Sequence, residues 1–366
     1  MTIDMKTEGR PTLLWDATKT GNTKYPASGM KQVANRLRSE VEALGYQVLP
    51  VRWCNKTRTF LRGKKPPNQD PATPFISPEV YCEDERQGIL EWLEKYGGTK
   101  TAIFYDAIPR KHPDITWPQS VYRHPDYMKM LGSHFTKVLS ISLSSQEELL
   151  EYWEGLGLQA LPQTQTLQLG SDLHYQLRPP LPNNSPQPTP PWNLLMVGIL
   201  EPRKNHTLAI EACEKLHSQG IPLHLHIAGR LNPHFGKPIL QRLRKAQSNG
   251  LPITWHKSPK PPALLRLYQE ADLCLFPSFA EGCGLPVLES LWMGTPVLAS
   301  NIPSVLENSN HPGIKIFRLE EEAQFFQSLQ DLLADPQALE SLGKGCAQAK
   351  LPTWREAGTS LASSIL

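Results

Sequence analysis

The stretch Ala271–Ser290, ADLCLFPSFAEGCGLPVLES, gathers residue types that can handle a charged ligand. An apolar run ends at Pro277. A loop of small residues follows, with Glu281, Gly282, Cys283 and Gly284, and Leu285-Pro286 opens a helical pattern. Proline suits a first helical position, because the amide hydrogen it lacks has no intrahelical acceptor there. The amides left open at such a start, beside glycines that admit close approach, suit an anion such as a diphosphate. Glu289 falls about one turn into the helix, where its carboxylate can accept hydrogen bonds from a ribose diol. Glu281, in the loop, lies closer to where a sugar would sit. The plainer reading is a tight strand–helix turn with a dipole-stabilised acid near its start. Gly282-x-Gly284 lacks the third glycine of a dinucleotide fingerprint.

A second stretch, Leu194–His206, runs LLMVGILEPRKNH. A strand ends near Gly198, and a helix starts near Asn205, a good N-cap. Arg203 and Lys204 then stand at a strand's C-terminal edge. A forked guanidinium and a compact ammonium together suit a diphosphate; a solvated basic pair is the alternative.

Parallel-sheet units must position these loops. In the first half, strand patterns cover Thr12–Trp15, Gln47–Trp53, Thr101–Asp106 and Val138–Ser142. Helical patterns cover Ser28–Leu44, Glu83–Tyr96, Gln119–Phe135 and Ser144–Leu156. In the second half, the strands are Asn193–Val197, Leu223–Ala228, Ile253–His256, Leu273–Pro277, Pro296–Ala299 and Ile314–Phe317. The helices there are His206–Ser218, Pro238–Ser248, Pro262–Glu270, Pro286–Met293 and Glu320–Leu333. This alternation implies βαβ units. Between the halves, residues 178–191 hold seven prolines in 14 positions. Proline fixes φ and lacks a donor, so this stretch reads as an extended connector. The expected organisation is an α/β chain of two Rossmann-like parallel-sheet domains facing each other across a cleft. Residues 1–178 form one domain, 179–191 the linker and 192–350 the other domain. Ligands of open parallel sheets sit beyond the C-terminal ends of the strands.

Taken together, the two stretches resemble the C-terminal domain of family-4 retaining glycosyltransferases (glycosyl transferases group 1), which have the GT-B fold. The family's Glu-x7-Glu pattern corresponds to Glu281 and Glu289, and its Arg-Lys pair to Arg203 and Lys204. Leu267–Asp272 (LYQEAD) and Met293–Asn301 (MGTPVLASN) extend the match over roughly residues 193–307. Phe104–Pro109 (FYDAIP) stands where the family has a His-Asp-Leu-Ile-Pro signature, and residues 351–366 resemble its last helix, which crosses back to the N-domain. Three departures are evident. Tyr105 replaces a histidine of the acceptor cleft, Cys283 replaces the more usual Phe, and Ile199 replaces an Arg.

The resemblance implies transfer of a hexosyl-type sugar from a nucleotide-diphosphate donor with retention, with residues 1–178 as the acceptor-binding domain and 192–350 as the nucleotide-sugar-binding domain. Arg203, Lys204 and Glu281 are the catalytic candidates. Gly198, Gly282, Cys283, Gly284, Leu285 and Glu289 would bind donor, and Tyr105, Asp106 and Gly29 would line the acceptor cleft. The chain has no Asp-x-Asp. The expectation is therefore no metal and no cofactor, with the cations and helix amides neutralising the leaving diphosphate. The acceptor would be a glycan, a lipid-linked or a phosphorylated molecule. Arg52–Lys65 has six basic residues in 14, no acid, and Trp53, Phe60 and Leu61 interleaved. It is expected to face an anionic acceptor or to make peripheral contact with an anionic bilayer; a solvated loop is the plain alternative. The competing functions are a non-hydrolysing nucleotide-sugar 2-epimerase and an inactive nucleotide-sugar-binding homologue. Asp16, ending the first strand, and the Gly21–Gly29 loop are weaker donor-side candidates. His112 and His124 fall in a proline-rich stretch on the acceptor side. His224 and His226, alternating on a strand, read as packing or edge residues.

Charge excludes other classes. Lys+Arg total 38 and Asp+Glu 35, giving +3. The split is 22 basic against 20 acidic up to Arg178, and 16 against 15 beyond. Neither half has the one-sided charge of a nucleic-acid binder. The six cysteines are scattered without Cys-x-x-Cys, which argues against structural zinc or a disulfide scaffold. The N-terminus lacks a signal-peptide apolar run, and no stretch approaches a membrane span. A cytoplasmic location, at most peripheral to the membrane, is expected.

Overall fold

The structure, a computed structural model, describes residues 10–22, 28–68, 70–173, 177–178 and 188–365. Most of the expected linker, 179–187, lies outside the described residues. The chain divides into two units. The first comprises Met1–Lys111, Pro118–Gly170 and Thr353–Leu366, and the second His112–Trp117 and Ser171–Pro352. The first unit thus ends at Gly170 rather than 178, and the hydrogen bonds explain why. The Ser171 amide donates to the Pro352 carbonyl at 2.8 Å. Arg178 donates to the Ala349 and Cys346 carbonyls, with its guanidinium over the Trp292 ring.

The first unit is built from β1 (Thr12–Asp16), α1 (Gly29–Ala43), β2 (Gln47–Cys54), β3 (Thr59–Leu61), β4 (Phe75–Ser77), α2 (Ile89–Lys95), β5 (Lys100–Phe104), α3 (Ile108–Lys111), α4 (Pro118–His134), β6 (Lys137–Ser140), α5 (Leu143–Gly155) and β7 (Gln163–Thr166). Its sheet runs β3-β2-β1-β4-β5-β6-β7, parallel except for β3, which pairs antiparallel with β2. That hairpin contains the basic stretch. Side chains alternate across a strand, so Trp53 and Phe60 turn inward, with ring centroids 5.1 Å apart, and join Phe75 in the core. The aromatic residues expected on the partner face are therefore buried, and Arg52, Lys56, Arg58, Arg62, Lys64 and Lys65 are exposed. The expected helix over Glu83–Tyr96 shortens to α2, because Glu83 folds back to accept from the Gly88 and Leu90 amides.

The second unit contains β8 (Trp192–Val197), α6 (His206–Ser218), β9 (Leu223–Ala228), α7 (Gly236–Ser248), β10 (Ile253–His256), α8 (Pro261–Glu270), β11 (Leu273–Phe276), α9 (Leu285–Trp292), β12 (Val297–Ser300), α10 (Pro303–Leu306), β13 (Ile314–Phe317), α11 (Glu322–Ala334) and α12 (Pro336–Gln348). Its sheet runs β10-β9-β8-β11-β12-β13, all parallel, the doubly wound order. One apolar cluster fills the face carrying Leu194, Leu225 and Leu273, and another the face carrying Leu195, Cys274 and Ala299. The strand order reverses between β8 and β11, and in the first unit between β1 and β4. Helix α13 (Trp354–Ile365) belongs to the first unit and packs along α1. Gly358 permits that approach, since a Cβ there would lie 2.3 Å from the Glu40 Cβ. No helix among the described residues is long and apolar enough to cross a membrane.

Candidate functional site

Loops leaving β8 and β11 meet at the reversal point of the second sheet. After β8 the chain makes a 3₁₀ turn over Pro202–Lys204, then places Asn205 at φ 54° to enter α6. Asparagine tolerates this left-handed region better than most residues. After β11 the Phe279 amide donates to the Arg203 carbonyl at 2.7 Å, locking the two loops together. Glu281 then sits between the two cations. Arg203 Nη1 lies 2.5 Å from its Oε2, and Lys204 Nζ 2.5 Å from its Oε1. Arg203 Nε also pairs with Glu201 at 2.6 Å. The Lys204 stem passes Gly198, where a Cβ would come within 3.1 Å of Lys204 Cδ and Cε. Its ammonium lies 5.2 Å from the Phe276 ring centroid.

The electrostatics follow from burial and pairing. Burial alone would raise the Glu281 carboxyl, but Arg203 and Lys204 outweigh it and hold the pKa at about 2. Burial lowers Lys204, partly offset by Glu281. His206, buried at the start of α6, is pulled to about 3 by burial and by Lys204, so it is neutral at pH 7. The cluster carries two cations and two carboxylates.

Helix α9 begins beyond Gly284, whose φ of 72° favours glycine. Its first turn has no side-chain cap, and Pro286 has no amide hydrogen to leave unpaired. Leu285 opens the helix, and Gly282 and Cys283 are buried just before it. Burial pushes the Cys283 thiol up to about 12, which leaves it protonated and unsuited to nucleophilic attack. Glu289 lies one turn into α9. Its Oε2 accepts from the buried Tyr268 hydroxyl at 3.0 Å.

The remaining sequence candidates lie in the first unit. Tyr105 is buried, and its hydroxyl donates to the Pro78 carbonyl at 2.9 Å and the Met30 carbonyl at 3.3 Å. It ties β4 and α1 to β5 as a brace. Asp106 Oδ1 caps the Ile108 amide, and its carbonyl meets His124 Nε2 at 2.9 Å. Gly29 opens α1 behind the Ser28 cap, with open space where a Cβ would stand. At this sheet's reversal point, Arg86 bridges Asp16 Oδ2 at 2.5 Å and Glu79 Oε2, all three buried. Glu79 Oε1 accepts from the Lys19 and Thr20 amides and the Thr20 hydroxyl. Asp16 Oδ1 accepts from the Thr18 amide and hydroxyl. Glu201, Tyr268, Glu79 and Arg86 escaped the sequence reading. Only Glu201, two residues before Arg203, carried a usable local signal.

Known proteins share parts of this sequence and its fold. Residues 178–348 match glycosyl transferases group 1. The serotype-specific mannosyltransferase WbdA of Escherichia coli is 23% identical over 271 residues, covering 72% of this chain and 32% of WbdA. The chain thus spans about a third of the length of that relative. A sucrose-phosphate synthase from Thermosynechococcus elongatus superposes with a TM-score of 0.72 at 15% identity, covering 97% of this chain and 98% of that one. HepE of Anabaena in complex with UDP-glucose gives 0.70 at 13% identity, covering 97% and 99%. Residues 178–348 of this chain are thus similar to glycosyl transferases group 1, and the chain has a GT-B fold of two Rossmann-like units.

Proposed function

We propose that the chain transfers a sugar from a nucleotide-diphosphate sugar to a glycan, lipid-linked or phosphorylated acceptor, with retention and without a divalent metal. The observation that carries this reading is the Arg203–Glu281–Lys204 cluster at the β8/β11 reversal point. As the glycosidic bond breaks, negative charge grows on the β-phosphate. Two preorganised cations aimed at it stabilise the transition state more than the ground state. Glu281, ionised at neutral pH, holds them in place until the donor arrives. It then turns towards the sugar hydroxyls as the diphosphate takes over the cations. Glu289 accepts from the ribose diol, its orientation fixed by the Tyr268 hydroxyl. The leaving phosphate takes the acceptor's proton. The exposed cations of the Arg52–Lys65 hairpin attract an anionic acceptor or the bilayer that carries it. Support comes from the matched domain and from relatives whose names are those of mannosyltransferases.

The test is incubation of the chain with a panel of radiolabelled nucleotide sugars, scoring release of free sugar. Slow hydrolysis of one donor is expected, unchanged after exhaustive chelation. Absence of both hydrolysis and donor binding across the panel refutes the reading. Loss on chelation restored by Mg²⁺ or Mn²⁺ refutes its metal-independent part.

A further inference from the structure

The outer strands of the second sheet bring His224 and His226 beside His256, which follows His226 by 30 residues. Leu223, Leu225 and Ile227 of β9 face one apolar cluster, so His224 and His226 face the opposite side. Strand β10 adds Thr254 and His256 there. His226 Nδ1 lies 3.1 Å from His256 Nε2. The His224 ring stacks on His226 with centroids 4.2 Å apart, and His226 on His256 at 5.3 Å. His224 Nε2 meets Thr254 Oγ1 at 2.8 Å. All three rings are half-buried.

We infer that His226 Nδ1 and His256 Nε2 form a binding site for one divalent transition-metal ion of the zinc–nickel–copper class, with His224 as third ligand once it swings away from Thr254. Two nitrogens 3.1 Å apart, each about 2.0–2.1 Å from a common ion, subtend roughly 95–100°, between square and tetrahedral geometry. Imidazole ligands suit these metals, whereas magnesium and calcium prefer oxygen donors. No carboxylate contributes to the electrostatics of His226. By contrast, in the Cys82–Asp84–Glu85 group the acids are paired with Arg123 and Lys19. The histidine site lies on β9 and β10, whereas the charge cluster follows β8 and β11, so it does not rest on the proposed function.

The test is calorimetric titration of the tag-free full chain with Ni²⁺ and with Zn²⁺. One ion per chain is expected. His226→Ala and His256→Gln should each weaken it about tenfold or more, since loss of even an outer-shell partner costs about 10–100-fold. His224→Ala should weaken it less, and the exposed His217→Ala should leave it unchanged. Binding that survives both His226→Ala and His256→Gln, or no binding at all, overturns the assignment. Imidazole NMR of the wild-type chain gives a readout independent of variant folding. Zn²⁺ should move the signals of His226 and His256, and unmoved signals overturn the site.

Discussion

At the reversal point of the first sheet, one guanidinium, Arg86, lies between two carboxylates, and at that of the second, one carboxylate, Glu281, lies between two cations. The difference lies in where the remaining hydrogen bonds go. Glu79 and Asp16 spend theirs on the Thr18–Thr20 backbone and hydroxyls, so that cluster clamps its own loop. Glu281 is held by the two cations instead, and cations so arranged are what a diphosphate would use. The same topological position thus serves as a lock in one unit and as a candidate anion site in the other.

The largest effect should come from Arg86→Met. It strands two carboxylates in the interior and should cost about 3–5 kcal/mol in denaturant unfolding, the scale of breaking a buried ion pair from one side. Lys204→Ala leaves Arg203 to pair with Glu281, so its loss of stability should be clearly smaller. If the two variants destabilise equally, the distinction between lock and site fails. For Lys204→Ala the effect should instead appear in turnover. We expect kcat to fall about 10²–10³-fold, the loss of one preorganised electrostatic contact; wild-type turnover and normal nucleotide-diphosphate affinity would discard the assignment.

The two clusters should also answer pH in opposite directions. Burial and the neighbouring Asp16 raise Glu79 to about 7 despite Arg86. A raised acid stabilises while protonated, so its contribution is full below about 4.5 and is lost as pH rises through 7. Glu281 is depressed to about 2. Its contribution is full above about 4.5 and is lost as pH falls towards 2. Each effect is on the order of 3 kcal/mol at most. Hydrogen exchange of β1 and β8, corrected for intrinsic rates, should show the first loosening towards neutral pH and the second towards acid. Parallel trends would break the comparison.

The smallest effect belongs to Tyr268→Phe. It removes one hydrogen bond to Glu289 while filling the same space, worth about 1 kcal/mol. The donor KM should rise several-fold with kcat nearly unchanged. A fall in kcat at constant KM would move Glu289 from ribose binding to the chemical step.

The second unit was largely legible in the sequence. Leu223–Ala228, Ile253–His256, Ile314–Phe317 and His206–Ser218 fold over the same residues the patterns marked. Buried parallel strands are apolar runs bounded by turns, and that signal is local. The first unit was less legible. β3, β4 and β7 have three or four residues, too few for a period to show, and Gln163–Thr166 is wholly polar. Of the site, the Arg203–Lys204 pair and Glu281 could be picked out, but not their mutual contact. Tyr105 could be located but not its inward orientation, because the carbonyls it bonds come from Met30 and Pro78. Arg86 carried no signal at all, since its partners are 70 and seven residues away.

Helix α13 packs on α1 although the whole of the second unit lies between them in the chain. During synthesis, therefore, the face of α1 that meets Gly358 stays open until the whole of the second unit has been made. The ribosome delivers the second unit's sheet before the first unit can close. A nascent chain halted before Trp354 would carry an uncovered helix face, the kind of surface that chaperones hold and aggregation exploits.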